Sequence, residues 1–181
     1  MQLALSSDYV FDTIMTNSEG QVIYKTTTPS WTSRTTTLWK IRPSSSPLNM
    51  RDEFDVLAEI EWHTWTSSKI RFDGKEVRAQ DYIPSSGLIK RNRAFTAPDG
   101  KKYKWMLQRR RLDLELGDGS DTPIACLHNR SLGIIGEKHP PYLEIYPAGE
   151  HILDTIVMTF IYVEKMRKDE ETAAITAASV S

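Results

Sequence analysis

From its start to about residue 146 the chain carries its apolar residues mostly singly, at every second position. A period of two is the repeat of a strand buried on one face. In FDVLAEIEWH, Phe54, Val56, Ala58, Ile60 and Trp62 fall on one face and Asp55, Leu57, Glu59, Glu61 and His63 on the other, with Leu57 alone breaking the pattern. RLDLEL sets Leu112, Leu114 and Leu116 against Arg111, Asp113 and Glu115, and KYKWML sets Tyr103, Trp105 and Leu107 against Lys102, Lys104 and Met106. The same reading predicts strands at 8–15, 21–27, 35–41, 69–72, 75–79, 93–96, 123–128 and 142–146. Between them, Asp73-Gly74 and Asp99-Gly100 supply the dipeptide favoured where both central turn residues need positive φ, and Ser18-Glu19-Gly20 and Gly117-Asp118-Gly119 mark further reversals. The longest irregular stretch, RPSSSPLNMRDE at 42–53, suits an exposed loop rather than a domain boundary.

The alternation ends at HILDTIVMTFIYVEKMRKDEE, residues 151–171. Its apolar core runs only from Ile152 to Val163, twelve residues, whereas a membrane-spanning helix needs about 20. Many of these residues are β-branched, as in strands. Yet there is no Gly or Pro from Ile152 to Glu170 and no alternation, and Lys165, Arg167 and Lys168 gather late in the segment, where they complement a helix dipole. The segment is predicted to be a helix. A helix apolar all round must be surrounded, and the inside of a closed barrel is the place a mostly β chain offers. The predicted fold is therefore mainly β: a single antiparallel β-barrel of about twelve short strands enclosing a hydrophobic C-terminal α-helix at about 151–168. The barrel domain covers 1–170, and 171–181, small and polar, form a flexible tail.

Short antiparallel strands ending in an apolar LDTIVMTFIYVEKM helix resemble the tubby C-terminal-like superfamily, which includes plant LURP-one-related proteins and phospholipid scramblases. In that fold a roughly twelve-stranded barrel wraps a hydrophobic C-terminal helix. FTAPDGKKYKWML followed by LDTIVMTFIYVEK is similar, more closely, to an uncharacterised fungal family of this type. The resemblance runs from about Asp8 to Lys168, and its motifs are a Gly-x-x-Tyr-x-Trp hairpin at Gly100, Tyr103 and Trp105 and the terminal helix with Asp154. There is no scramblase-like calcium segment or proline-rich N-terminus.

Charge adds an asymmetry that the net value of −1 hides. Between Leu88 and Arg111 stand nine basic residues (Lys90, Arg91, Arg93, Lys101, Lys102, Lys104, Arg109, Arg110 and Arg111) against Asp99, a local charge of +8 that leaves −9 elsewhere. Alternation puts Lys102 and Lys104 opposite Tyr103 and Trp105, and Arg109 and Arg111 opposite Leu112. A hairpin here would show four cations on one surface, the pattern that attracts phosphate and anionic lipid. Such a run also occurs as a plain solvated strand face. Nucleic acid is disfavoured, since Tyr103 and Trp105 have core parity and no recognisable module is present.

Catalytic chemistry is not legible. His63, His128, His139 and His151 lack metal-ligand spacing, and the single Cys126 permits neither an internal disulfide nor a cysteine zinc site. GDGSD, with Asp118 and Asp121, reads as a turn, Ser85-Ser86-Gly87 lacks a nucleophile elbow, and Gly133-Ile134-Ile135-Gly136 is too short for a phosphate loop. Trp62-His63-Thr64-Trp65 suits a core-and-rim anchor, or an interfacial membrane contact if both tryptophans are exposed. MQLALSSDYVFD does not read as a secretory signal, so the expected compartment is cytoplasmic, with a peripheral place at a membrane. The expectation is a non-enzymatic intracellular module without cofactor or metal that binds anionic, phosphoinositide-like lipid through the nine basic residues. The alternatives are a structural or protein-interaction domain and a lipocalin-like small-ligand carrier.

Overall fold

The fold is seen in a computed structural model that describes residues 1–29, 34–42, 52–87, 91–109, 111–133 and 137–180. The strands are β1 (Gln2–Leu5), β2 (Ile14–Thr16), β3 (Val22–Thr27), β4 (Thr35–Arg42), β5 (Glu53–Glu61), β6 (Lys69–Phe72), β7 (Lys75–Arg78), β8 (Ser85–Ser86), β9 (Asn92–Thr96), β10 (Lys102–Gln108), β11 (Arg111–Leu116), β12 (Pro123–His128) and β13 (Tyr142–Ile145). A single helical turn, α1 (Ala79–Tyr82), joins β7 to β8, and a 3-10 turn at Pro147–Ile152 leads into α2 (Leu153–Val180). All thirteen strands form one antiparallel sheet in the order β7-β6-β5-β4-β3-β2-β1-β13-β12-β11-β10-β9-β8. The sheet is thus two meanders joined where β1 pairs with β13.

β7 and β8 are the two edges of the sheet and are not hydrogen-bonded to each other, so the barrel expected from sequence is an approximate one with an open seam. Short edges limit unwanted pairing. The seam is floored by Ala79 and Ile83, both fully buried.

Inside the sheet lies α2. Ile156, Val157, Phe160, Ile161 and Val163 are 0% exposed, and Met158 and Tyr162 are buried beside them, so apolar contact surrounds the helix on every side. Full burial of one such side chain contributes about 1.5–3 kcal/mol. The polar residues within this stretch are satisfied locally: Trp105 Nε1 donates to Thr159 Oγ1 at 3.0 Å, and that hydroxyl donates to the Thr155 carbonyl at 2.8 Å. The filled interior removes the lumen that a lipocalin-like carrier would need. Gly149 lets the chain turn into α2 against β12, because a Cβ there would lie 2.8 Å from Ile124 Cγ2 and 2.9 Å from its carbonyl oxygen.

Several sequence expectations change. The stretch at 8–15 is mostly turn, and strand pairing is carried instead by β1, whose Leu3 and Leu5 are buried, and by the short β2. Leu57 marks a β-bulge: Leu38 pairs with Ala58 and Trp39 with Val56, leaving Leu57 as the extra residue. The bulge turns Val56 to the outside, 52% exposed, and Phe54 with it, so that Lys25 lies 3.9 Å from the Phe54 ring centroid. Asp73 and Gly74 both have positive φ, but in the Asp99-Gly100 turn Gly100 alone does. α2 does not stop at 168. It runs to Val180, because Ala-rich sequence without Gly or Pro continues a helix readily, and residues 172–179 are exposed. The 43–51 part of the expected loop lies outside the described residues. Among the described residues no helix is long and apolar enough to cross a membrane.

Phe160→Asp is expected to abolish soluble, cooperative folding, because a buried charge without a partner costs several kcal/mol. Solubility and a thermal melt check this.

Candidate functional site

The described members of the basic segment do not form one surface. Register places Lys102, Lys104 and Arg111 on the outer face of β10 and β11, as alternation requires, but with acids among them: Lys104 Nζ lies 3.7 Å from Glu115 and Arg111 Nε 2.6 Å from Asp113. Lys101, Lys102 and Arg109 are exposed. Arg91 reaches along the protein to α2, 3.2 Å from Glu170. Arg93 pairs in register with Trp105 and so lies on the inner face, opposite in sense to Lys104. Lys90 and Arg110 lie outside the described residues.

Two clefts open where α2 begins and where it leaves the sheet. At the head end a cleft of about 630 Å³ has an apolar floor that includes Leu57, Phe72, Leu153 and Met158. Asp154, in the first turn of α2, accepts from the Tyr24 hydroxyl and, at 2.7 Å, from Lys40 Nζ. Burial, then the hydrogen bond and charge of Asp154, push the Tyr24 phenol above its ordinary pKa. Beside it, Asp99 accepts from Tyr103 at 2.6 Å and contacts His151 Nε2 at 2.9 Å. Burial opposes the Asp99 charge, but these bonds and one from the Lys101 backbone N–H pull its pKa down to about 2. Tyr24 and Lys40 hold Asp154, and Tyr103 and His151 hold Asp99, in a network that ties the start of α2 to β3, β4 and the β9–β10 turn. Neither carboxylate is a free base.

At the exit end a second cleft, of about 540 Å³, lies between the seam and α2. Its walls are Trp62, His63 and Ser67 from the segment after β5, Gln80 and Asp81 of α1, Ser85 of β8, Arg93 of β9, and Tyr162, Lys165 and Asp169 of α2. Trp62 stacks on Tyr162 with ring centroids 6.0 Å apart and donates to Thr36 Oγ1 at 2.8 Å, which makes it the core anchor. Trp65 is 94% exposed on the same loop, the rim residue of the pair. Elsewhere on α2, Glu164 and Arg167 form a buried ion pair at 2.6 Å, and Arg167 also donates to the Arg109 carbonyl at 2.9 Å. Burial works against the Arg167 charge, yet Glu164 holds its pKa above the ordinary guanidinium value.

Cys126 sits on the outer face beside Asp113, where burial, then that carboxylate, push its thiol up to about 12, which makes it a poor nucleophile. Among the described residues no group of three or more His, Cys, Asp or Glu side chains could hold a metal ion. The GDGSD segment is a turn, with Asp118 accepting from the Ser120 backbone N–H.

Residues 8–169 match a family described as a family of unknown function, DUF6593. The chain belongs to the DUF6593 family. No curated protein matches it. Among solved structures, the DUF6593 chain is similar to the X-ray structure of the protein AT5G01750 from Arabidopsis thaliana, with TM-score 0.46 and 10% identity over 88% of each chain. The exit-end cleft was hidden from sequence because its walls come from five separate segments. The one available signal was Arg93, whose parity matches Phe95 and the core rather than the basic face.

The Asp99 network gives a pH prediction. With its pKa lowered in the folded state, Asp99 contributes stability that is present above its ordinary value of about 3.9 and is lost as pH falls through about 2. The Asp99→Asn variant should therefore melt below the parent at pH 7, and the gap should close between about pH 4 and pH 2. Paired melts across that range measure it.

Proposed function

We propose that this DUF6593 protein is a non-enzymatic module that docks on an anionic membrane surface with the end of the sheet from which α2 emerges. The observation that carries the proposal is Trp65, 94% exposed at the rim of the exit-end cleft. Trp belongs at membrane interfaces, where its ring is half apolar and half polar. An exposed cation stands at the same end, Arg109, whose carbonyl binds Arg167, while the nearby Arg91 is paired with Glu170. Each cation near an anionic leaflet contributes about 1 kcal/mol. The strand face of β10 and β11 is the weaker contributor, because Glu115 and Asp113 offset Lys104 and Arg111. Kinship with the tubby C-terminal-like superfamily belongs to the same proposal, and a curved antiparallel sheet around an apolar C-terminal helix supports it.

A protein-interaction role is the second reading. It is favoured by the outer face of β2 to β5, where Ile14 and Val56 are exposed and Trp39 and Phe54 are half-buried around Lys25. Exposed apolar patches of this kind mark contact surfaces.

Vesicle co-sedimentation separates the two. The protein should bind phosphatidylcholine vesicles containing phosphatidylserine and not pure phosphatidylcholine, and binding should weaken as ionic strength rises from about 0.01 M to about 0.15 M, where the Debye length shrinks from about 30 Å to about 8 Å. Trp65→Ala should lose most of the binding with an unchanged melt. Indifference of the parent protein to anionic vesicles at low salt would leave the interaction module as the better account.

A further inference from the structure

We infer that the exit-end cleft is a binding site for a phosphate group, with Arg93 as its principal ligand-binding residue. Arg93 is half-buried and faces the inside of the sheet, and its Nε is buried without a hydrogen-bond partner. Among the described residues no carboxylate lies within ion-pair distance of its guanidinium. Two carboxylates do line the cleft, but each holds another cation: Asp81 accepts from Arg78 Nε at 2.7 Å, and Asp169 pairs with Lys165 one helical turn away. His63, also on the wall, contacts Glu61 at 2.9 Å. Once these pairs are counted, Arg93 is the charge left over. A buried guanidinium N–H without an acceptor is costly, and an anion held in the cleft supplies one.

The surroundings favour phosphate over a planar carboxylate. Donors line the cleft from separate elements: Arg93 and, opposite it in register, Ser85 from the sheet edge, Gln80 from α1, and Lys165 from α2. A tetrahedral group with acceptors on every side uses such a set, and the guanidinium fork supplies two parallel bonds to it. The stacked Trp62–Tyr162 pair walls the site, and at about 540 Å³ the cleft has room for the phosphate and the group that carries it. The charge is felt locally: burial pushes the Tyr162 phenol up, and the neighbouring Arg93 charge opposes it. The site does not require membrane docking, since either a soluble phosphate ester or a lipid headgroup would present the same chemistry.

The test uses the whole chain and two probes, glycerol 3-phosphate and vesicles containing phosphatidic acid, with backbone amide NMR shifts following the soluble probe and co-sedimentation the vesicles. Saturable binding of either probe is expected, with shifts from the soluble one centred on Gln80, Ser85 and Arg93, and Arg93→Gln should weaken it about tenfold or more with the melt retained. Arg93→Lys, which keeps the charge but loses the fork, should fall between. Trp65→Ala should leave glycerol 3-phosphate binding unchanged, which separates this site from the proposed docking. Binding of glycerol 3-phosphate alone identifies a soluble ligand, and binding of the vesicles alone a headgroup. Should Arg93→Gln fail to fold, the comparison rests on Arg93→Lys and Ser85→Ala, both expected to weaken binding. Parent protein that binds neither probe, shifts that avoid the cleft, or folded Arg93 variants that bind as the parent does would overturn the assignment.

Discussion

Burial of α2 by the sheet is the constraint from which the rest of the structure follows. A helix with apolar side chains around its whole circumference cannot lie against one face of a sheet without leaving another face wet. At about 25 cal/mol per Å² of apolar surface, the exposed side would be a large loss for a domain of this size. Only a sheet that curls round it removes all sides from water. The thirteen strands are mostly short, and their inward side chains, such as Leu3, Leu38, Ile60, Trp105 and Leu114, form one core with the helix. The sheet need not close by hydrogen bonds for this. β7 and β8 end the same sheet although they do not pair, and α1 bridges them.

The same constraint assigns the polar chemistry to the ends. Along its buried length α2 tolerates only side chains that satisfy themselves, as Thr159 does with Trp105 and its own backbone. Where it begins, Asp154 faces Lys40 and Tyr24, and His151 faces Asp99, so the helix start is fixed in depth and rotation. Where it leaves, Glu164 and Arg167 neutralise each other, and Arg167 anchors the β10–β11 turn. The exit-end cleft is the space between the departing helix and the open seam. Arg93 stands in it because the inward parity of β9, which buries Phe95, continues one step beyond the apolar core.

Much of this was legible in sequence, and the failures have physical causes. Period-two alternation located β3 to β7 and β9 to β13, since one buried face writes itself directly into the residues. The helix was legible as a break in that alternation. Its continuation to Val180 was not, because exposed residues of high helix propensity carry no packing pattern. The irregular Leu57 was visible, but its meaning as a bulge depends on the partner strand β4. Charge was the least transferable signal. A run of nine cations says nothing of the acids that a neighbouring strand brings beside them: Glu115 became the partner of Lys104 only once β10 and β11 paired, whereas Asp113, two residues along β11 from Arg111 on the same face, was in view from the start.

Native-state hydrogen exchange resolved by residue tests the central claim most directly. If the sheet depends on the enclosed helix, amides from Ile156 to Val163 should exchange only through global unfolding, with the same opening free energy as the inner strands β10 to β12, while those from Thr172 to Ala178 should exchange far faster. Rapid exchange across 156–163 while the strands stay protected would show a sheet that stands without its helix, and would contradict the account.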